Sequence, residues 1–170
     1  MKRTYLFVPA INERMIEKAV MSHADCVILD LEDAVPHSEK EKARQEVEKA
    51  ILTYSKEKPL YIRINGIKTP FWKEDIAAIK SGAAGMVVPK VESDHDIKEI
   101  VAHTQGERAI IPQIESAKGI QHSYDIAKAD PSIERFAFGS LDFAWDIDCE
   151  LTEGGLELLF ARSQLVIASR

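Results

Sequence analysis

The sequence predicts an α/β protein built on a parallel sheet, and three observations carry that prediction. Short apolar runs rich in Val, Ile and Phe start at 4, 26, 60, 85, 109 and 135, so neighbouring runs begin 22 to 34 residues apart. That is the length of a strand plus its return helix. The segments between them carry charged residues at helical spacing. The runs themselves do not alternate in and out, which marks strands covered on both faces by helices.

The first run, TYLFV (4–8), follows Lys2 and Arg3 and faintly mimics a secretion signal. It stops at Pro9 and is followed by Asn12, Glu13 and Arg14, with no small-residue cleavage site, so it reads as a first strand leading to a helix over 12–22. The next strands are CVIL (26–29), LYIRI (60–64), GMVV (85–88), AIIPQI (109–114) and RFAF (135–138). Helices are expected over 39–54, 72–81, 94–103, 116–129 and 155–169. Crossovers should be right-handed. A β/α barrel and an open doubly wound sheet both fit this order. Val8-Pro9-Ala10-Ile11-Asn12 stands where a dinucleotide fold has its Gly-rich turn, which argues against that fold. No linker divides the chain, so residues 1–170 are expected to form one domain with six of the eight units of a barrel.

The 170 residues carry a net charge of −6 with Lys and Arg scattered, which leaves no footprint for nucleic acid. No apolar run approaches the length of a membrane span. Cys26 and Cys149 belong to no paired motif and suit reduced thiols in the cytoplasm. Open sheet edges at the first and sixth strands point to a homo-oligomer.

Polar residues recur where the strands end. They are Asp30, Glu32 and Asp33, then Arg63 and Asn65, Lys90 and Glu92, Gln113 and Glu115, and finally Ser140 and Asp142. In a parallel β/α protein these ends share one rim, where such folds place their sites. Asp33, Ser93 and Ser140 also read as helix caps. Arg63 lies inside an apolar strand, where a guanidinium is costly unless paired. Glu115 follows PQI directly. Two carboxylates from neighbouring strand ends make a hard oxygen site suited to Mg²⁺, and an Arg grips a carboxylate with two parallel hydrogen bonds. Together they suit a small keto- or hydroxy-acid held on magnesium.

At these residues the sequence resembles a known family. RTYLFVPAINERMIEKA, VILDLEDAV, YIRINGI, GMVVPKVES, IIPQIESAKGI, FAFGSLDFAWDI and ARSQLVIASR resemble, in order, the citrate lyase β-subunit-like branch of the HpcH/HpaI aldolase family. The resemblance implies a TIM-type β/α barrel, here lacking its last two units. It also implies Mg²⁺-dependent cleavage of a hydroxyacyl thioester of the citryl-, malyl- or citramalyl-CoA type, or its acyl-carrier equivalent. It makes Glu115 and Asp142 the metal ligands, with Glu115 also facing the substrate. Arg63 becomes the clamp on the oxo-acid carboxylate, and Glu32 and Asp33 the acidic pair beside the metal. Lys2, Arg3 and Arg14 are candidates for the phosphates of CoA.

Two other readings compete. Lys90 at a strand end suits a Schiff-base aldolase, with Glu92 as its ion-pair partner in the structural alternative. A truncated, non-catalytic binding or assembly subunit would keep the site residues without the general base, which the sequence does not assign. His23, His37, His95, His103 and His122 show no metal-ligand spacing. Trp72 and Trp145 read as packing residues or helix-face anchors, and the run 38–49 as a solvated helix face.

Overall fold

The apolar runs become strands in the computed structural model, which describes residues 3–79, 82–104 and 108–170. The chain divides into two compact units, Met1–Val87 and Val88–Arg170.

The first unit begins with β1 (Tyr5–Pro9) and α1 (Glu13–Val20). Asn12 starts the helix by accepting a hydrogen bond from the Met15 amide, which satisfies an otherwise orphaned donor. Ile16, Ala19 and Val20 form its buried face. β2 (Cys26–Asp30) is buried at every position. It leads through a short 3₁₀ turn to α2 (Lys40–Tyr54), then to β3 (Leu60–Arg63), α3 (Trp72–Ala78) and β4 (Gly85–Val88). β1 pairs with β2, β2 with β3 and β3 with β4, all parallel. The register sets Pro9 beside Asp30 and Asp30 beside Arg63, so these strands end level.

Burial on both faces holds for β2 and for Leu60, Tyr61 and Ile62 of β3. Each large side chain so buried contributes about 1.5–3 kcal/mol. β1 departs from the expectation, since Leu6 and Phe7 are exposed where no strand of this unit covers them. The run 38–49 also departs from a solvated face. Ion pairs one turn apart, Lys42 to Glu39 and Lys49 to Glu46, do line it, but Lys40 and Arg44 are buried.

The second unit holds α4 (Asp94–His103), β5 (Ala109–Ile114), α5 (Ala117–Gln121), α6 (Ser123–Ala127), β6 (Ala137–Phe138), α7 (Ser140–Asp146) and α8 (Leu159–Ala168). Ser93 caps α4 in a reciprocal box with Asp96. Ser140 is the first residue of α7 rather than its cap, and Gly139 precedes it. The helix expected over 116–129 is two short ones that meet at His122, whose ring nitrogen bonds the Glu92 carbonyl at 2.9 Å. β6 is only two residues long and pairs parallel with β5, Gln113 to Ala137 and Ile114 to Phe138.

α8 buries Ala161, Leu165 and Ala168 and exposes Phe160, Val166 and Ile167, so it is apolar on both faces. Trp72 is buried, whereas Trp145 is 78% exposed. Both cysteines are free thiols. Among the described residues no helix is long and apolar enough to cross a membrane.

Candidate active site

In the first unit the level ends of β2 and β3 build a cluster around Arg63. Asp30 accepts two hydrogen bonds from the guanidinium, from Nε at 2.7 Å and from Nη2 at 2.6 Å. The remaining terminal nitrogen, Nη1, lies 3.2 Å from Glu32 Oε2 and 3.5 Å from Asp33 Oδ2. The Phe7 ring covers the guanidinium, its centre 5.1 Å from Cζ. Burial works against the charge on Arg63. The hydrogen bonds it donates to Asp30 and the charges of Asp30, Glu32 and Asp33 outweigh it, so its pKa is raised and it stays a cation.

A guanidinium has five N–H donors, of which Asp30 takes two. Nη1 already faces Glu32 and Asp33, so a carboxylate arriving from outside would take the second N–H of Nη2 and compete with those two acids for Nη1. Asp33 is exposed, while Asp30 and Glu32 are buried. The Asp30 carboxylate also accepts from the Glu32 amide at 2.8 Å and the Ala34 amide at 3.2 Å. One side chain thereby orients the Arg and shapes the loop that carries the other two acids.

In the second unit Glu115, one residue beyond β5, is 4% exposed. Its Oε1 accepts from the Lys90 backbone amide at 2.7 Å and its Oε2 from the Gln113 side chain at 2.5 Å. Lys90 adopts φ 55°, a left-handed conformation uncommon for a side-chain-bearing residue, and it does so where its amide meets the carboxylate. Just past the neighbouring strand β6, Gly139 leaves the space the carboxylate fills. A Cβ there would lie 2.8 Å from Glu115 Cβ and overlap Oε2. Burial pushes the Glu115 carboxyl above the ordinary carboxylate range. Gln113 and the Lys90 amide oppose that shift, and the charge on Asp142, in the first turn of α7, pushes it up further.

Arg63, Glu32 and Asp33 thus meet in the first unit, and in the second the charge of Asp142 acts on the buried Glu115 carboxyl. A divalent cation fits the Glu115–Asp142 pair on physical grounds. Two hard oxygens, one of them buried and disfavoured as a bare charge, gain from a cation between them. Among the described residues no group of three or more His, Cys, Asp or Glu that could hold a metal ion is gathered.

Arg3 and Arg14 are exposed, and Lys2 lies outside the described residues. Lys90 is exposed, and Glu92 pairs with Lys118 at 3.4 Å. All five histidines are exposed. Three contributors escaped the sequence reading: Asp30 as the partner of Arg63, and Gln113 and Gly139 as the shapers of Glu115. For Asp30 a signal existed. An acid and an Arg each close a neighbouring apolar strand, VILD and YIR, where parallel strands of equal length put them side by side.

Comparison with known proteins gives a consistent result. The family model for HpcH/HpaI aldolase/citrate lyase matches residues 3–170. Citrate lyase subunit beta from Leuconostoc mesenteroides subsp. cremoris is 34% identical over 182 residues, covering 100% of this chain and 60% of that protein. L-malyl-CoA/beta-methylmalyl-CoA lyase from Cereibacter sphaeroides is 36% identical, covering 88% and 52%. Among solved structures, protein CitE from Mycobacterium tuberculosis in complex with magnesium, acetoacetate and coenzyme A matches with a TM-score of 0.81. It is 27% identical and is covered over 63% of its length by 99% of this chain. The chain therefore spans about 60% of the length of the curated relatives it matches. Its fold class is the TIM-type β/α barrel, incomplete, with six strands among the described residues.

Proposed function

Because the chain belongs to the HpcH/HpaI aldolase/citrate lyase family, we propose that it is a Mg²⁺-dependent carbon–carbon lyase. Its substrate would be a hydroxyacyl thioester of the citryl-, malyl- or citramalyl-CoA type, cleaved to an oxo-acid and an acyl thioester. The observation that supports this reading is the buried Glu115 carboxylate, oriented by the Lys90 amide and Gln113 and subject to the charge of Asp142, a burden that a divalent cation would relieve.

Glu115 and Asp142 would hold the ion, and when bound it supplies Lewis-acid stabilisation of oxygen charge on the oxo-acid half. The Lys90 amide and Gln113 fix the direction of Glu115 beforehand, so no reorganisation is needed during the reaction. Arg63, its charge secured by Asp30, has N–H donors left to grip the carboxylate of the oxo-acid. Glu32 and Asp33 would order water beside it. In the reaction the hydroxyl proton leaves to a base. The bond between the carbinol carbon and the carbon next to the thioester breaks, and its electron pair becomes the thioester enolate, which is then protonated.

The thioester carrier would be CoA or an acyl-carrier group, with the exposed Arg3 and Arg14 as candidates for its phosphates. Two free thiols suit a reducing, cytoplasmic setting. Exposed Leu156, Leu159, Phe160 and Ile167 support assembly into a homo-oligomer, which sedimentation measures.

The test is cleavage of malyl-, citramalyl- and citryl-CoA by the purified chain, followed as released acyl-CoA and oxo-acid. Release that requires Mg²⁺ and is lost in Glu115→Gln is the expected result. Mg²⁺ affinity unchanged by Glu115→Gln in calorimetry would overturn the metal assignment. Binding of metal and oxo-acid without cleavage would identify a non-catalytic binding or assembly subunit. A borohydride-trapped pyruvate adduct on Lys90 would favour the Schiff-base reading.

A further inference from the structure

Behind the acidic cluster of the first unit lies a buried lysine that the proposed chemistry does not use. Lys40, the first residue of α2, is 4% exposed. It donates to two consecutive backbone carbonyls, Leu31 O at 2.6 Å and Glu32 O at 2.8 Å. The Leu31 carbonyl accepts a further bond from Asn65 Nδ2 at 3.0 Å. Asn65 is held in turn by Asp75, which accepts from the Asn65 amide at 2.8 Å and from its side chain at 2.6 Å. Asp75 is fully buried and accepts from Arg44 Nε at 2.8 Å.

The loop carrying Glu32 and Asp33 is therefore fixed from two sides. On one side its amides, from Glu32 and Ala34, point to the Asp30 carboxylate. On the other its carbonyls point to Lys40 and Asn65. Burial pushes the Lys40 amine down from its ordinary value, and the charges of Asp75, Asp30, Glu32 and Asp33 oppose that shift. A buried cation satisfied by carbonyls is a poor way to gain stability, since its desolvation offsets most of what the bonds return. It is an effective way to fix where a carbonyl points, because a charged donor holds it about twice as strongly as a neutral one.

We propose that Lys40 is a positioning residue, holding the Leu31 and Glu32 carbonyls so that Glu32 and Asp33 face Arg63 in the arrangement the reaction needs. The catalytic part of this inference rests on the lyase reading above; the structural part does not. The chain supplies its own control. Lys58 makes the same kind of contact with two carbonyls, Ser22 O at 2.6 Å and Ala24 O at 2.8 Å, in the segment before β2, at the far end of that strand.

The experiment compares Lys40→Met, Lys40→Gln and Lys58→Met by amide hydrogen exchange and by steady-state kinetics on the thioester that the wild type cleaves. In Lys40→Met, exchange at the Glu32 and Ala34 amides should speed up by about tenfold, the worth of one well-made buried hydrogen bond. Lys58→Met should leave those two amides unchanged. Lys40→Gln, which keeps a shorter, uncharged NH₂ donor, should fall between and serves if the methionine variant does not fold. In the kinetics, kcat should fall by about tenfold or more with a smaller change in KM, because misplaced acids act on the transition state more than on binding. Exchange at Glu32 and Ala34 no faster in the Lys40 variants than in Lys58→Met would overturn the inference. Exchange is read on protein without turnover as well. A silent wild type therefore counts against the lyase reading alone, and the amides still decide Lys40.

Discussion

Asp30 and Arg63 are register partners on adjacent parallel strands, and the carboxylate grips the guanidinium through two hydrogen bonds of 2.7 and 2.6 Å. Neither residue reaches far into solvent, with side-chain exposures of 3% and 12%. The pair closes the ends of β2 and β3, fixes the plane of the guanidinium and, through the Glu32 and Ala34 amides, sets the following loop. Asp30 is thus the hinge between the strand that folds and the acids that act.

Replacing Asp30 tests that claim. Asp30→Asn preserves shape but removes the charge and one of the two acceptors facing Arg63. Breaking one side of a buried pair costs about 3 kcal/mol, because the remaining charge loses its compensation. Urea denaturation should show a loss of that order. A loss under about 1 kcal/mol, the worth of an exposed pair, would show that Glu32 and Asp33 alone hold the guanidinium.

Gly139 controls the other carboxylate. Its amide bonds the Ile114 carbonyl at 3.0 Å, which seats the residue directly against Glu115. Gly139→Ala forces a methyl group into the space of Oε2, so the Glu115 carboxylate must turn away from Gln113. Overpacking of this kind costs about 1–3 kcal/mol. Mg²⁺ affinity, measured by calorimetry, should drop by at least about tenfold, equivalent to about 1.4 kcal/mol. An alanine variant that binds the ion like wild type would show that Glu115 is not a ligand.

The sequence made the strands legible because burial on both faces leaves a run with no polar interruption, as in Cys26–Leu29. It made Arg63 legible because a guanidinium within such a run demands a partner. What it hid was the identity of that partner and the shape of the surroundings. Asp30 reads as one acid of three until the register puts it opposite Arg63. Gly139 gives no signal of its own until the Glu115 side chain is seen filling the space of its missing Cβ. Lys40 and Arg44 read as solvated because they lie in a strongly charged run. Asp75, 31 residues beyond Arg44, is what makes burial of that Arg tolerable. Side-chain partnerships over such separations leave no local periodicity to detect.

Lys90 offers a test that separates backbone from side chain. Its hydrogen bond to Glu115 comes from the amide N–H, delivered by a left-handed backbone, and its ammonium adds only a weaker charge effect. Lys90→Gly adopts that conformation without the Cβ penalty but leaves a freer unfolded chain, so stability should stay within about 1 kcal/mol of wild type. Mg²⁺ binding and any thioester cleavage should persist. Lys90→Pro removes the donor and forces φ to about −65°, and it should lose both stability and metal binding. If the glycine variant loses cleavage while keeping Mg²⁺, the amine itself takes part and the Schiff-base reading gains.

The raised pKa of Glu115 gives a pH-dependent expectation with a definite sign. Burial, opposed by Gln113 and the Lys90 amide and reinforced by Asp142, makes the folded protein hold a proton on this carboxyl more tightly than the unfolded chain does. A group shifted in this direction favours folding below its ordinary value of 4.5, and that contribution is lost as pH rises through the raised value. At neutral pH without metal, Glu115 therefore weakens the fold. Glu115→Gln, neutral at every pH, should melt higher there, by roughly 2–4 °C for each kcal/mol relieved. The gap should close as the pH falls toward the ordinary carboxylate range. Mg²⁺ should then raise the melting temperature of the wild type and not of the variant, because a ligand stabilises only the state that binds it. Thermal melts across pH, with EDTA and with Mg²⁺, check both halves. A wild type that melts no lower than Glu115→Gln in EDTA at neutral pH would show that the carboxylate carries its charge without cost and gains nothing from an ion.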